Sequence, residues 1–211
     1  MNGPNTRKNS KLFWLVISSI LLYIALDAIV QNLPPHYNPI TQPESDLAVG
    51  SYGFIMTINF LNRGLFSLLF IFAFLKTLDS KGLDRSKFKT GSYLLGIWAI
   101  GSILLALFPT DVPPTPVSLH GGIHLIVAIV AFVGGAFGTL FISRGPSLGN
   151  LRRIALPLSL FVIICWLVEF GVPFAPHLNS EIGGLTERLF LGSVLLWIAA
   201  VSGYLATKDT I

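Results

Sequence analysis

The stretch "SLHGGIHLIVAIVAFVGGAFGTLFIS" (residues 118–143) decides the fold. After His120 and His124 it runs to its end without another ionisable residue. A helix rises about 1.5 Å per residue, so about 20 apolar residues cross the ~30 Å hydrocarbon core of a bilayer. Residues 119–143 therefore predict a membrane-spanning helix, with two titratable rings just inside one of its ends. At i and i+4, those rings share one helix face.

Five other runs pass the same test, at about 12–30, 52–75, 91–108, 154–172 and 184–205. The whole chain agrees: of 211 residues, 53% are hydrophobic and only 11% charged, against roughly a quarter charged in a soluble domain. Mean hydropathy is +0.73. The first run follows Arg7, Lys8 and Lys11 as a signal peptide would. It is longer than an h-region of roughly 7–15 residues, however, and no small-x-small cleavage site follows, so it reads as a retained span. The expected fold is all-α, a six-helix transmembrane bundle over residues 12–205, between short tails at 1–11 and 206–211.

The cations orient it. Arg7, Lys8 and Lys11 precede span one; Lys76, Lys81, Arg85, Lys87 and Lys89 follow span two; Arg144, Arg152 and Arg153 follow span four; Lys208 follows span six. The alternate loops, 31–51, 109–118 and 173–183, contain no Lys or Arg. The positive-inside rule then predicts that both termini are cytoplasmic, as an even number of spans requires. Topology thus accounts for the formal charge of +4, and nucleic acid is not an expected partner. The basic loop "DSKGLDRSKFKTG" reads as a topology signal near anionic lipid. Prolines at 34, 35, 109, 113, 114, 116, 173 and 176 fill the opposite loops, where they are expected to stop helices. Cys165, the one cysteine, lies inside an apolar run and reads as a small buried hydrophobe.

Two glycines, Gly134 and Gly138, have GxxxG spacing, which lets helix backbones approach closely. Packing inside the bundle is the first expected use; a homodimer through the Gly134/Gly138 face is the second.

The ionisable residues are distributed unevenly. All four histidines (His36, His120, His124, His177) and seven of the ten acids (Asp27, Glu44, Asp46, Asp111, Glu169, Glu181, Glu187) fall towards the expected outer side. By rise per residue, Asp27 and Glu169 sit roughly 22 Å from the cytoplasmic edge, and Arg63 lies deeper than either from the outer edge. Charges at such depths face a bundle interior or a wet cavity and mark function by default. Arg63 stays charged, so it needs an anionic partner. Asn59 and Ser67 flank it at i−4 and i+4, and Asp27, Glu169 and Glu187 are the candidate partners. The arrangement reads either as a buried ion pair that fixes packing or as a site for a lipid phosphate or another anion. Arg188 lies beside Glu187 near the top of span six.

The histidine pair has three readings. The rings cap hydrogen bonds near the headgroups, relay protons, or bind a metal such as Zn²⁺, as two His at i and i+4 do in HExxH helices. Here the motif is "HGGIH" and lacks that glutamate. A third ligand would come from Asp111, Glu187, Asp46 or His177, since a catalytic zinc takes three protein ligands and an open position.

Taken in order, "ESDLAVGSYGFIMTINF", "LFPTD", "HGGIH" and "GLTERLFLG" resemble the multi-span family known as domain of unknown function 998, over about residues 12–205. The family is found mainly in bacteria and archaea and has no assigned reaction. The resemblance implies a prokaryotic plasma membrane protein. It points to Ser45, Asp46, Asp111, one of His120 and His124, Glu187 and Arg188 as positions of interest.

Three functions compete. The favoured one is a non-enzymatic bundle with a polar, ligand-binding cavity in its outer half, acting as transporter, lipid-binding protein or accessory subunit with membrane lipid as its partner. The alternative is a metal-dependent intramembrane hydrolase or transferase acting on a lipid near the outer leaflet, with Asp46, Asp111 and Glu187 as candidate catalytic groups. Arg63, Asn59, Asp27, Glu169 and Arg188 are the candidate binding residues, Arg63 serving the hydrolase as a possible phosphate anchor. Between them stands a proton-coupled transporter with Asp27, Glu169 and His124 as relay.

Overall fold

The computed structural model describes residues 4–207; the side chains of residues 4–8 and 176 are not described. The tail residue Lys208 and most of the segment 206–211 lie outside the described residues. Six helices follow one another: α1 (Pro4–Gln31), α2 (Gly53–Ser80), α3 (Lys89–Leu105), α4 (Leu119–Ser143), α5 (Arg152–Gly171) and α6 (Pro176–Thr207). No strand occurs among the described residues. Each of the six is long and apolar enough to cross a membrane, and the chain is an integral membrane protein. Its surface agrees. Leu15, Leu21 and Leu22 on α1, Leu125 and Ile126 on α4, and Ile164 and Leu167 on α5 are more than half exposed. In water that would be costly; towards lipid tails it is the favourable arrangement.

The helices form a closed ring in chain order. Each packs on its sequence neighbours and α6 returns to α1, while also touching α2 and α4. Ser10 Oγ donates to the Ala206 carbonyl at 2.8 Å, so both chain ends lie at one end of the bundle. The basic loops share that end, here the basic end. The loops without Lys or Arg lie at the other, the acidic end.

Small residues set the tightest seam. A Cβ on Gly134 would lie 2.6 Å from the Leu94 carbonyl oxygen, one on Gly138 2.7 Å from the Leu95 amide, and one on Gly101 2.6 Å from Ala131 Cβ. The GxxxG face of α4 is therefore packed against α3 within the chain, the use expected first for it. Buried aromatics fill the remaining interior: Phe70 packs on Phe13, Phe74 and Trp197, and Phe132 on Trp98 and Phe190. Trp197 Nε1 donates to Ser143 Oγ at 2.9 Å and to the Ala155 carbonyl at 3.0 Å, joining α6, α4 and α5 near the basic end.

Four boundaries differ from the sequence expectation by three residues or more: α1 begins at Pro4, inside the expected tail 1–11, and α2 runs on to Ser80, past 75. Helix α3 ends at Leu105, earlier than 108, because the turn before Pro109 has already left the α ladder. Helix α6 begins at Pro176, well before 184. At a helix start proline lacks only an N–H that has no intrahelical acceptor, so Pro176 opens the helix where a stop was expected. The last acidic-end loop shrinks to residues 172–175.

Candidate functional site

At the acidic end α2 supplies a buried polar stripe. Asn59, Arg63 and Ser67 recur every fourth residue on one face and are at most 1% exposed. Arg63 Nε donates to Ser102 Oγ on α3 at 3.0 Å, and Nη1 donates to the Tyr23 hydroxyl on α1 at 3.2 Å. The rings of Tyr23, Phe60 and Trp98 stand 5.0–5.8 Å from the guanidinium carbon, close enough for cation–π attraction. Its ionic partner is Glu44, 3.8 Å from Nη1 and buried to the same degree. None of Asp27, Glu169 and Glu187, the partners expected from sequence, forms that ion pair.

Glu44 reaches this depth because the loop after α1 turns inward. A short 3₁₀ turn, Glu44–Ala48, sits over the bundle. Glu44 Oε1 accepts the Tyr23 hydroxyl at 2.6 Å, and its own amide donates to Glu187 Oε2 at 2.8 Å. The chain of groups Arg63–Tyr23–Glu44–Glu187 thus spans α2, α1, the loop and α6. Asp27 borders it: Oδ2 accepts from Gln31 Nε2 at 2.5 Å, while Oδ1 is buried without a hydrogen-bond partner.

Arg188 straps the same loop to α6. Nη1 donates to the carbonyls of Pro39, Gln42 and Gly184 at 3.1–3.2 Å, and Nη2 donates to the Tyr37 hydroxyl at 2.6 Å. Burial pushes the Tyr37 phenol above its ordinary range, against the pull of Arg188. A Cβ on Gly184 would meet the Gln42 carbonyl oxygen at 2.1 Å, so only glycine lets the loop lie this close.

The "HGGIH" stretch divides its labour. Asp111 Oδ2 accepts the Ser118 amide at 2.6 Å and Oδ1 accepts the Ser118 hydroxyl at 2.9 Å. Ser118 Oγ in turn accepts the Gly121 amide and caps α4. These bonds, the backbone one first, hold the Asp111 carboxyl below the usual carboxylate range. Gly121 is the place where the carboxylate passes: a Cβ there would lie 2.0 Å from Asp111 Oδ2. His124 is 5% exposed, and its Nδ1 lies 2.7 Å from the Phe108 carbonyl. A carbonyl only accepts, so Nδ1 carries a hydrogen. His120 is exposed, its ring 6.0 Å from that of Phe108. The two rings sit in different surroundings, and among the described residues no group of three or more His, Cys, Asp and Glu side chains is placed to hold a metal.

A cavity of about 770 Å³ opens beneath the loop. Phe60, Leu105, Leu125, Ala128, Ile129, Phe132 and Phe170 form its apolar wall. Its ionisable lining is Asp46, Arg63, Asp111, His124, Glu169 and Glu187. Four carboxylates thus face one guanidinium, which already has Glu44 as its partner. Burial raises the Asp46 carboxyl to about 6, with Arg188 opposing. Leu125, Ile129 and Phe174 line the cavity and are also 42–88% exposed on the outside of the bundle.

Most sequence candidates converge here. Asp46, Asp111, Glu187, Arg63, Glu169 and His124 line the cavity, and Asn59, Asp27 and Arg188 stand behind its wall. Asn59 Nδ2 donates to the Tyr23 carbonyl at 3.0 Å, tying α2 to α1. The sequence reading missed the roles of Glu44 and Tyr23. Tyr23 carried a usable signal, lying four residues before Asp27 and so on the same face. Glu44 carried none, because nothing local says that a loop acid will turn inward.

The fold and its lining define the class: a multi-pass helical membrane protein with an acidic, partly apolar cavity at one end of the bundle. The chain belongs to the family described as protein of unknown function DUF998, whose model matches residues 16–204. No curated protein and no solved structure matches it.

Proposed function

We propose that this protein is a non-catalytic binding protein of the prokaryotic plasma membrane, and that its cavity takes up a membrane amphiphile at the outer leaflet. The carrying observation is that exposed apolar residues line the cavity, which we read as a side opening towards lipid. Leu125, Ile129 and Phe174 belong at once to the cavity wall and to the outer, apolar surface of the bundle. A molecule with an apolar tail passes such an opening without leaving lipid, while its polar head meets the carboxylate wall. About 770 Å³ falls within the usual range of small-molecule sites. Arg63 acts in this reading as a support for the wall, held by Glu44, Tyr23 and Ser102. The outward placement of the acidic end follows the positive-inside rule.

Two measurements test the reading. A dodecyl probe with a photoreactive diazirine, added to protein in nanodiscs, is expected to crosslink preferentially to Leu125, Ile129 and Phe174. Crosslinks spread evenly around the lipid-facing surface would remove the cavity as a binding site. In intact cells, with Cys165→Ser as background, Thr115→Cys is expected to react with an impermeant maleimide and Ser86→Cys is not. The reverse pattern would place the cavity at the cytoplasmic leaflet.

A further inference from the structure

The lining indicates which head group the cavity suits, and this inference rests on the amphiphile reading above. A cluster of carboxylates alone would not define a ligand, since each may be satisfied within the protein. Two of the four here are. Asp111 uses both oxygens on Ser118, and Glu187 Oε2 accepts the Glu44 amide. The other two are not. Asp46 is half-buried and makes no side-chain hydrogen bond among the described residues, and Glu169 Oε2 is buried with no partner, Thr186 serving the same carboxylate only in part. A buried acceptor left without a donor costs free energy comparable to a lost hydrogen bond, more for a charged group.

The second, independent observation is His124. It is 5% exposed and lines the cavity. Its Nδ1 is committed to the Phe108 carbonyl, and Nε2 has no hydrogen-bond partner among the described residues. In the neutral ring, a hydrogen on Nδ1 leaves Nε2 as an acceptor. Three unfilled acceptors from three separate elements, the loop, α4 and α5, thus line one cavity. Arg63, the one guanidinium in the lining, has its charge opposed by Glu44 and its Nε and Nη1 occupied. That leaves only Nη2 free to meet an anion, a poor phosphate anchor. A phosphate would bring more acceptors and more negative charge to a wall that already has an excess of both.

We propose that the cavity binds a protonated primary amine carrying an apolar tail, its N–H groups donating to acceptors among Asp46, Glu169 and His124 Nε2. An ammonium has three donors and no acceptor, which suits a wall of unfilled acceptors. Charge-assisted bonds to carboxylates are the strong class. The tail lies along Phe60, Phe132 and Ile129 and leaves between α4 and α5. A lipid head group and a free long-chain amine present the same recognition chemistry.

The test uses the full chain in nanodiscs, with empty nanodiscs subtracted, and three labelled probes of one tail: dodecylammonium, dodecanol and dodecyl sulfate. Saturable binding of dodecylammonium, about tenfold or more tighter than the other two, supports the proposal. Equal or tighter binding of dodecanol or dodecyl sulfate overturns the amine inference and leaves the amphiphile cavity standing. No saturable binding of any probe overturns the amphiphile reading itself. Glu169→Gln and Asp46→Asn, on different elements, each extend the test. A folded variant is expected to lose about tenfold for dodecylammonium with dodecanol unchanged, and an unchanged dodecylammonium affinity in both would count against the assigned acceptors. To place the amine's source, an aminophospholipid and a free alkylamine are compared as competitors of dodecylammonium. Displacement by the phospholipid assigns a lipid head group, and displacement by the alkylamine alone assigns a free amine.

Discussion

The two ends of the bundle use charge in opposite ways. At the basic end, Arg85 and Asp79 pair at 3.1 Å with each side chain about half exposed. At the acidic end, Arg63 and Glu44 stand 3.8 Å apart with both side chains 2–3% exposed. The shorter contact is the weaker one. An exposed pair is screened by water and must hold two long side chains still, so it contributes about 0–1 kcal/mol. A buried pair has no water to replace a lost partner. Removing one member strands the other charge, at about 3–5 kcal/mol. Burial, more than distance, decides what an ion pair is worth.

The largest predicted effect follows from that contrast. Glu44→Ala or Arg63→Met is expected to destabilise the protein by about 3–5 kcal/mol, read as SDS-induced unfolding in mixed micelles. Arg85→Ala should cost less than about 1 kcal/mol in the same assay. The double variant Glu44→Met/Arg63→Met should recover part of the loss, because no charge is then stranded. Equal effects at the two ends would break the comparison. A double variant as poor as the sum of the singles would show that the surrounding hydrogen bonds of Tyr23 and Ser102, rather than the charges, hold this wall.

Two adjacent glycines sharpen it at finer scale. Gly121 and Gly122 look alike in sequence, but only the first faces the acidic wall. A Cβ on Gly121 would lie 2.0 Å from Asp111 Oδ2, whereas one on Gly122 meets nothing within 4 Å. Gly121→Ala is expected to cost about 1–3 kcal/mol by pushing the carboxylate off Ser118 and loosening the α4 cap. Gly122→Ala should stabilise by up to about 1 kcal/mol through helix propensity. Thermal unfolding of the two single variants in one detergent decides the matter, and equal shifts would mean that Asp111 is not held where its bonds to Ser118 place it.

The sequence made the spans legible because hydropathy is a local property. Residues 119–143 read as one span and form one helix, Leu119–Ser143. Boundaries at proline were less legible, since proline stops one helix and starts another: Pro109 follows an ending, while Pro176 begins α6. Much of the polar wall was legible too. Depth along each span brought Asp27, Glu169 and His124 to one level, with Arg63 below them, without any knowledge of helix order. Pairing was not. Which carboxylate meets Arg63 depends on the path of residues 32–52, fixed by Arg188 on those carbonyls and by Gly184 under Gln42. Those contacts lie well over a hundred residues apart in sequence, so no local pattern could announce them.

The smallest predicted effect sets two aspartates against each other, one from each end. Asp84, at the basic end, is held below the usual carboxylate range by its bonds to Ser86. Asp46, in the acidic wall, is raised to about 6 by burial, with Arg188 opposing and Glu169, Glu187, Asp111 and His124 lining the same cavity. The signs of the two linkages are opposite. A depressed carboxyl lends stability above its unfolded value, near 4, and loses it as pH falls. A raised one does the reverse: its ionisation opposes folding, and stability falls as pH climbs from about 4 to about 6. Asp84→Asn is therefore expected to lower stability at pH 7 and to have no effect at low pH. Asp46→Asn should raise stability at pH 7, by about 1 kcal/mol after allowing for its partial exposure, and change nothing near pH 4. The same ionisation that opposes folding supplies an acceptor for an amine, so dodecylammonium should bind more tightly as pH rises through about 6 in the wild type. In Asp46→Asn that step should flatten. A stabilised variant that binds less well is the signature of a group kept for its ligand, and a variant that gains stability with binding intact would return Asp46 to the loop as a bystander.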